Sequence, residues 1–504
     1  VEHETDWRHG YLGHFRRLVE AGLLSRDAAV TIARDGLASL HRRMTVLRAD
    51  GVEVGLGDVF ATSAQVEPLR TATIAGAGEA ERELSLPYRG RRLRGDDLCR
   101  RLDAWVAAGV VEPSCAEAVR AVMANPGWLD LRDHRIVVLG AGAEMGPLPS
   151  VLRWGGDVVA VDLPRPEIWR RLLDTTRRSA GRLHLPVPAD TGPDDDTVTA
   201  RAGADLLHHL PQVADWLLGV EGRLVLGNYV YADGATNVRV AAAVDALTLR
   251  LQERRDDVAL AFLATPTDVF AVPGDAVQHA ARGYAARGIL RRSLRFASGG
   301  RLLHRNYPPG VDPGVNDSLV PQQGPNYALA KRLQRWRATT ARDAGATVSF
   351  TVAPPTRTRS VLRNRALAAA YAGAHRFGIE VFDPATSNTL MAALLVHDLR
   401  TGGGPALPHP WQDEAYGAAH GGLWRVPYTP RSALGLAVLL GLGGARPHRH
   451  RIDRGDPAPL YPRRLAPHVP GDAGGRPGRQ DGLRGSVSAR PGPAARDPRR
   501  AERG

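Results

Sequence analysis

One segment limits what this chain can fold into more than any other. Ile136-Val137-Val138-Leu139 runs into Gly140-Ala141-Gly142-Ala143-Glu144-Met145-Gly146, and Asp157-Val158-Val159-Ala160-Val161-Asp162 follows. Strands this continuously apolar are buried on both faces, which places them inside a parallel sheet covered by helices. Glycines tighten the turn and let backbone N–H groups approach a pyrophosphate at a helix N-terminus. The acid closing the second strand accepts hydrogen bonds from an adenosine ribose. Gly140, Ala141, Gly142, Met145 and Gly146 are therefore candidate phosphate-loop residues, and Asp162 is the candidate ribose acceptor. Asp162 repels a 2′-phosphate, which favours NAD over NADP, while nearby Arg165 weakens that preference.

Strand and helix patterns alternate from about His134 onward. Strands are expected at Arg135–Leu139, Asp157–Val161, Leu183–Val187, Arg223–Leu226, Val258–Leu263 and Thr347–Val352. Helices are expected between them at Pro147–Arg153, Pro166–Arg178, Ala204–Leu218, Thr236–Glu253 and Tyr327–Ala344. The fold class that follows is α/β, a doubly wound parallel sheet of Rossmann type. Residues 1–130 read as a helical N-terminal domain. Within it, Leu18-Val19-Glu20-Ala21-Gly22 and Trp105-Val106-Ala107-Ala108-Gly109 echo each other as helix ends, marking two hairpins for packing or dimerisation rather than DNA binding. Residues 131–445 form the expected catalytic domain, with an irregular insertion at about 266–326 rich in Pro and Gly.

Of 66 Lys+Arg, Lys331 is the single lysine. It stands four residues after Tyr327, and i and i+4 share one face of a helix. An ammonium beside a phenol stabilises phenolate and lowers the tyrosine pKa, suiting Tyr327 to exchange a proton with a carbonyl or alcohol oxygen during hydride transfer.

With these residues in view, the stretch from about 134 to 400 resembles the short-chain dehydrogenase/reductase family. The resemblance implies a nicotinamide cofactor, a Tyr-x-x-x-Lys pair and a nearby serine. Tyr327 and Lys331 match the pair, and Lys331 would also hold the cofactor ribose. Gly140 and Gly146 match the ends of the family's cofactor loop, with Glu144 where its middle glycine stands. Asn228 resembles the family's structural asparagine. Pro354, Thr356 and Thr358 resemble its segment beside the nicotinamide, with Pro355 replacing a glycine. Ser318 is the candidate serine, nine residues before Tyr327, with Thr265 and Thr267 as alternatives. Later in the chain, His409, Trp411 and Trp424 are candidates to line a substrate pocket or to pack in the core.

The formal net charge of +13 points first to a polyanion, but +8 of it lies in residues 446–504, which hold 14 Arg against 6 Asp+Glu. That stretch is dominated by Arg, Pro and Gly, so an unfolded tail, or a reading frame shifted after Gly444, is expected there and a nucleic-acid partner is disfavoured. No apolar run is long enough to span a bilayer. Cys99 and Cys115 form neither a disulfide framework nor a metal cluster. The expectation is a cytoplasmic oxidoreductase for a small-molecule substrate, without membrane or metal, and with self-association open. An S-adenosylmethionine-dependent methyltransferase using the same first loop is the alternative, beside a non-catalytic nucleotide-binding module.

Overall fold

The structure, a computed structural model, describes residues 3–47, 51–61, 67–403 and 407–444. The expected unfolded tail at 446–504 lies outside them. The chain opens with α1 (Trp7–Gly22) and α2 (Arg26–Arg43), the latter capped by the Ser25 hydroxyl accepting from Ala28 N–H. A hairpin, β1 (Thr45–Leu47) and β2 (Glu53–Gly55), then leads to β3 (Leu69–Ala75). A second hairpin, β4 (Leu86–Tyr88) and β5 (Arg91–Leu93), precedes α3 (Gly95–Ala107) and α4 (Pro113–Ala124).

Residues 1–130 are thus not a helical domain of their own. Their described residues carry five strands, and β3 joins the main sheet antiparallel to β8, defined below. An edge strand with one covered face needs few apolar residues, so Arg70, Thr71 and Thr73 hid it from a hydrophobicity pattern. Tyr11 is buried and donates to the Val320 carbonyl at 2.9 Å. Gly36 lies under Trp336, where a Cβ would sit 2.4 Å from the indole.

The nucleotide-type segment follows the expected order. It comprises β6 (His134–Leu139), α5 (Leu148–Arg153), β7 (Asp157–Val161), α6 (Pro166–Arg177), β8 (Arg182–Pro188), α7 (Asp195–Arg201), α8 (Leu210–Leu218), β9 (Arg223–Asn228), α9 (Ala235–Arg254) and β10 (Ala259–Ala264). The expected helix from Ala204 starts later, at Leu210, because Asp205 accepts from Leu207 N–H and forms a turn first.

Between β10 and the next parallel strand come β11 (Val269–Val272), α10 (Gly274–Ala285), α11 (Ile289–Ala297), β12 (Gly314–Asp317) and α12 (Pro325–Asp343). The insertion is therefore not irregular throughout: β11 and β12 pair antiparallel, and two helices stand between them. Strand β13 (Val348–Val352) completes the sheet, in the order β13-β10-β9-β6-β7-β8-β3. The six strands from β6 to β13 in this sheet are parallel, and their order is the 3-2-1-4-5-6 of a doubly wound sheet.

The described residues end with α13 (Arg359–Arg363), α14 (Arg365–Gly373), α15 (Pro384–Thr401), α16 (Pro410–Ala415) and α17 (Pro430–Gly444). Helix α15 is buried along most of its length, from Thr386 to Asp398, and packs on β13, α4 and α5. Helices α14 and α17 meet backbone to backbone: a Cβ on Gly373 would lie 2.0 Å from the Ala437 carbonyl oxygen.

Candidate active site

Strand order reverses between β6 and β9, and loops leaving their C-terminal ends open a crevice there. Gly140 takes a φ of +80°, and a Cβ on it would meet the Tyr229 carbonyl oxygen at 2.9 Å. Only glycine allows this close crossing of the two loops. Asp162 is buried and accepts from Gly142 N–H and Leu163 N–H, both at 2.7 Å. Burial pushes its carboxyl up to about 6, against the pull of those two N–H groups and of Arg171 and Arg165. The expected ribose acceptor is thus also the brace of the glycine loop.

Glu144 has an evident structural role. Its carboxylate accepts from Arg359 N–H at 2.8 Å and faces the Arg359 guanidinium at 3.5 Å, while its carbonyl accepts from Asn388 at 3.3 Å. The loop is thereby tied to the segment after β13 and to α15. The N–H groups of Gly140 and Ala141 go to the Val161 carbonyl, and that of Ala143 goes to Gly140. Those of Glu144 and Met145 have no partner among the described residues. Helix α5 supplies little to an anion, since it has six residues and Pro147 and Pro149 lack N–H groups. Arg171, which donates to the Gly142 carbonyl at 3.0 Å, and Arg359 supply positive charge instead. At Gly146 a Cβ would make only ordinary contacts, 3.6 Å and beyond.

The other wall is α12. Lys331 Nζ donates to the Leu263 carbonyl of β10 and to Gln334 Oε1, each at 3.1 Å. Gln334 Nε2 in turn donates to Asn228 Oδ1 at 3.1 Å, so one polar thread joins the ends of β9 and β10 through α12. Burial lowers the Lys331 ammonium to about 8, with the Asp268 charge opposing. Tyr327 lies one turn earlier, its ring 6.1 Å from that of Tyr231. The expected lowering of its phenol pKa does not occur. Burial raises it, and Asp268 adds to the rise, while the neighbouring Thr265 hydroxyl offsets part of it. Helical spacing brought the two side chains to one face, but the lysine is spent on a strand carbonyl and a glutamine.

Thr265 and Thr267 hydroxyls stand 2.8 Å apart, and Gln323 donates to Thr267 at 2.7 Å. Ser318 is fully buried just past β12 and donates to Asn316 of that strand at 2.6 Å. Its backbone N–H donates to the Asp268 carbonyl. Of the three hydroxyls weighed from sequence, the one at the phenol is Thr265. Pro354 and Thr356 are buried at the end of β13, where the Thr356 hydroxyl donates to the Pro354 carbonyl and contacts Ser387. Thr358 caps α13 by accepting from Val361 N–H. His409 caps α16, and Trp424 is fully buried with His420 stacked on it and Phe270 nearby, so these two are engaged in capping and packing.

Arg171, Gln334, Arg359 and Asn388 were not singled out from sequence. Asn388 had a signal, since Thr386-Ser387-Asn388-Thr389 is a polar cluster in an otherwise apolar helix. The others look like ordinary polar residues of helices.

No protein-family model matches the sequence, and no curated protein matches it. Among solved structures, the chain is similar to a thiolation-reductase di-domain from an archaeal non-ribosomal peptide synthetase, at 13% identity and a TM-score of 0.25. That alignment covers 52% of this chain and 66% of the other. A second similar structure is the reductase domain of the Aureusimine biosynthetic cluster, at 10% identity and a TM-score of 0.27, covering 60% and 71%. Likeness this slight says nothing about activity, and the fold stands on its own strand order: a doubly wound α/β sheet with a crevice at its switch point.

Proposed function

We propose that the protein is an NAD(P)-dependent oxidoreductase that reduces a carbonyl group on a small-molecule substrate, with Tyr327 as the proton donor. The observation that carries this is the placement of Tyr327, with Thr265 at its phenol and Tyr231 beside its ring, next to the crevice where β6 and β9 diverge. The residues present fit a dinucleotide. Glu144 and Met145 offer unpartnered N–H groups, and Arg171 and Arg359 balance the acids Asp162 and Glu144 around the loop. Lys331, through the thread to Gln334 and Asn228, holds α12 against the strand ends.

A nicotinamide held by the Gly140–Gly146 loop would supply the hydride. The chain's own residues handle the proton. Burial holds the phenol in its protonated form, so Tyr327 enters a reduction as the proton donor, with a proton passing from its Oη to the developing alkoxide. Thr265 orients that phenol, and Thr267 and Gln323 orient Thr265.

Tyr327→Phe is expected to cut turnover by roughly 10²–10⁴-fold over a panel of aldehydes and ketones while leaving NADH and NADPH affinity unchanged by calorimetry. Undiminished turnover removes Tyr327 from the chemistry. Binding of S-adenosylmethionine with neither dinucleotide bound would replace the proposal with the methyltransferase.

A further inference from the structure

Helix α11 is amphipathic in the reverse sense to a surface helix. Its arginines bond back to backbone carbonyls of the body, while Arg291 and Arg292 stay exposed to solvent. Arg291 donates to the Arg376 carbonyl at 2.9 Å and lies over the rings of Phe377 and Tyr428. Arg295 donates to the carbonyls of Gly300 and Leu303 at 3.3 Å, and Arg292 to that of Ala285. Leu294 is the apolar residue of α11 that packs inward, on a small cluster of Leu303, Phe377, Tyr428, Ala433 and Ala437. The outward side carries Ile289, Leu290 and Phe296, which are 82%, 82% and 89% exposed. Helix α17, resting on the same cluster, exposes Leu439, Leu440 and Leu442 by 52–66%.

The segments that carry these apolar residues are basic, with Asp275, Asp312, Asp343, Glu380 and Glu414 at their borders. The segments 276–311, 344–379 and 415–444, which supply this helical layer, hold 14 arginines and no Asp or Glu. Arg359, Arg425 and Arg431 pair with acids from elsewhere in the chain. Arg282, Arg291, Arg292, Arg301, Arg365 and Arg376 are exposed.

We propose that this layer is a docking surface for an anionic lipid bilayer, with the outward residues of α11 and α17 entering the headgroup–acyl boundary and the arginines meeting lipid phosphates. Charge decides between occupants. A second copy of the chain would bring two arginine layers together, and residues 446–504 carry a net +8 of their own, so both are repelled. A nucleic acid supplies the negative charge but gives protruding aliphatic side chains nothing to enter. Arginine interleaved with bulky apolar residues on an exposed helix is the composition of interfacial binding, which differs from spanning. No described helix is long and apolar enough to cross a membrane.

The test is flotation of the full chain with phosphatidylcholine vesicles, with and without about 30% phosphatidylserine. The expected result is recovery with the anionic vesicles alone. The double variant Leu290→Asp/Phe296→Asp is expected to lose affinity by about tenfold or more, since it removes two side chains from the boundary. Both positions are exposed, so the variant's near-ultraviolet circular dichroism stays that of the parent. Equal binding by the double variant would take the apolar side chains of α11 out of the contact and overturn the proposal. Absence of binding to either vesicle would overturn it, as would a concentration-dependent dimer that the variant abolishes.

Discussion

Two buried aspartates close parallel strands on opposite sides of the switch point, and they meet opposite fates. Among the described residues Asp162, after β7, has backbone N–H groups as its direct partners, and its carboxyl rises to about 6. Asp268, after β10, is also buried, yet it stays below the usual carboxylate range. Burial pulls it up, but the Arg332 and Arg335 guanidiniums, at 3.0 and 2.7 Å, prevail. Burial alone thus does not set the charge of a carboxyl. The partners that replace water do. Asp162 braces a loop that meets a ligand, whereas Asp268 anchors the buried arginine face of α12, where Arg335 also holds Glu414.

The largest expected effect follows from Asp268→Asn. Two buried guanidiniums lose their shared counter-charge, and urea unfolding should show a loss of about 3–5 kcal/mol. A loss below 1 kcal/mol would mean that the ion cluster contributes little to α12. Asp162→Asn should cost less, about 1–3 kcal/mol at pH 4, where the parent carboxyl is protonated, because an amide oxygen accepts one of the two N–H groups and orphans the other. Its effect should fall more heavily on dinucleotide affinity, measured by calorimetry, than on stability.

The finest comparison is in pH. The folded Asp162 carboxyl, at about 6, lies above its unfolded value of about 3.9, so the folded state holds that proton more tightly. Its contribution to stability therefore declines as pH climbs from about 4 to 6, by roughly 1.4 kcal/mol per pH unit, and is flat above 7. Asp268 has the opposite sign. Its folded value is lowered, so its stabilisation is present above the unfolded value and is lost as pH falls through the folded one. The difference in unfolding free energy between parent and each variant, followed across pH, separates the two. A flat profile for Asp162 between pH 4 and 6 would show that the loop N–H groups fully compensate its burial.

The six parallel strands were legible because each is a short apolar run between turn signals, and burial on both faces leaves no other use for such runs. Strand β3 was not, since an edge strand shares its composition with a loop. The insertion was misjudged for a similar reason: β11 and β12 span four residues each and are held by Asn316, Tyr307 and the Trp424 carbonyl rather than by a pattern of their own. In the candidate site, Gly140 and Asp162 could be named from a local motif. Arg359 and Asn388, which reach the loop from more than 200 residues away, could not.

By itself, then, the sequence determined the doubly wound sheet, the glycine turn and the shared helical face of Tyr327 and Lys331, because each depends on residues near one another in the chain. Only the tertiary structure decided that Lys331 serves a strand carbonyl instead of the phenol, that Thr265 stands at Tyr327 while Ser318 is enclosed elsewhere, and that α11 turns its apolar side outward. Hydrogen bonds and burial are settled by which surfaces meet, and a helix period states which residues share a face without stating what that face will touch.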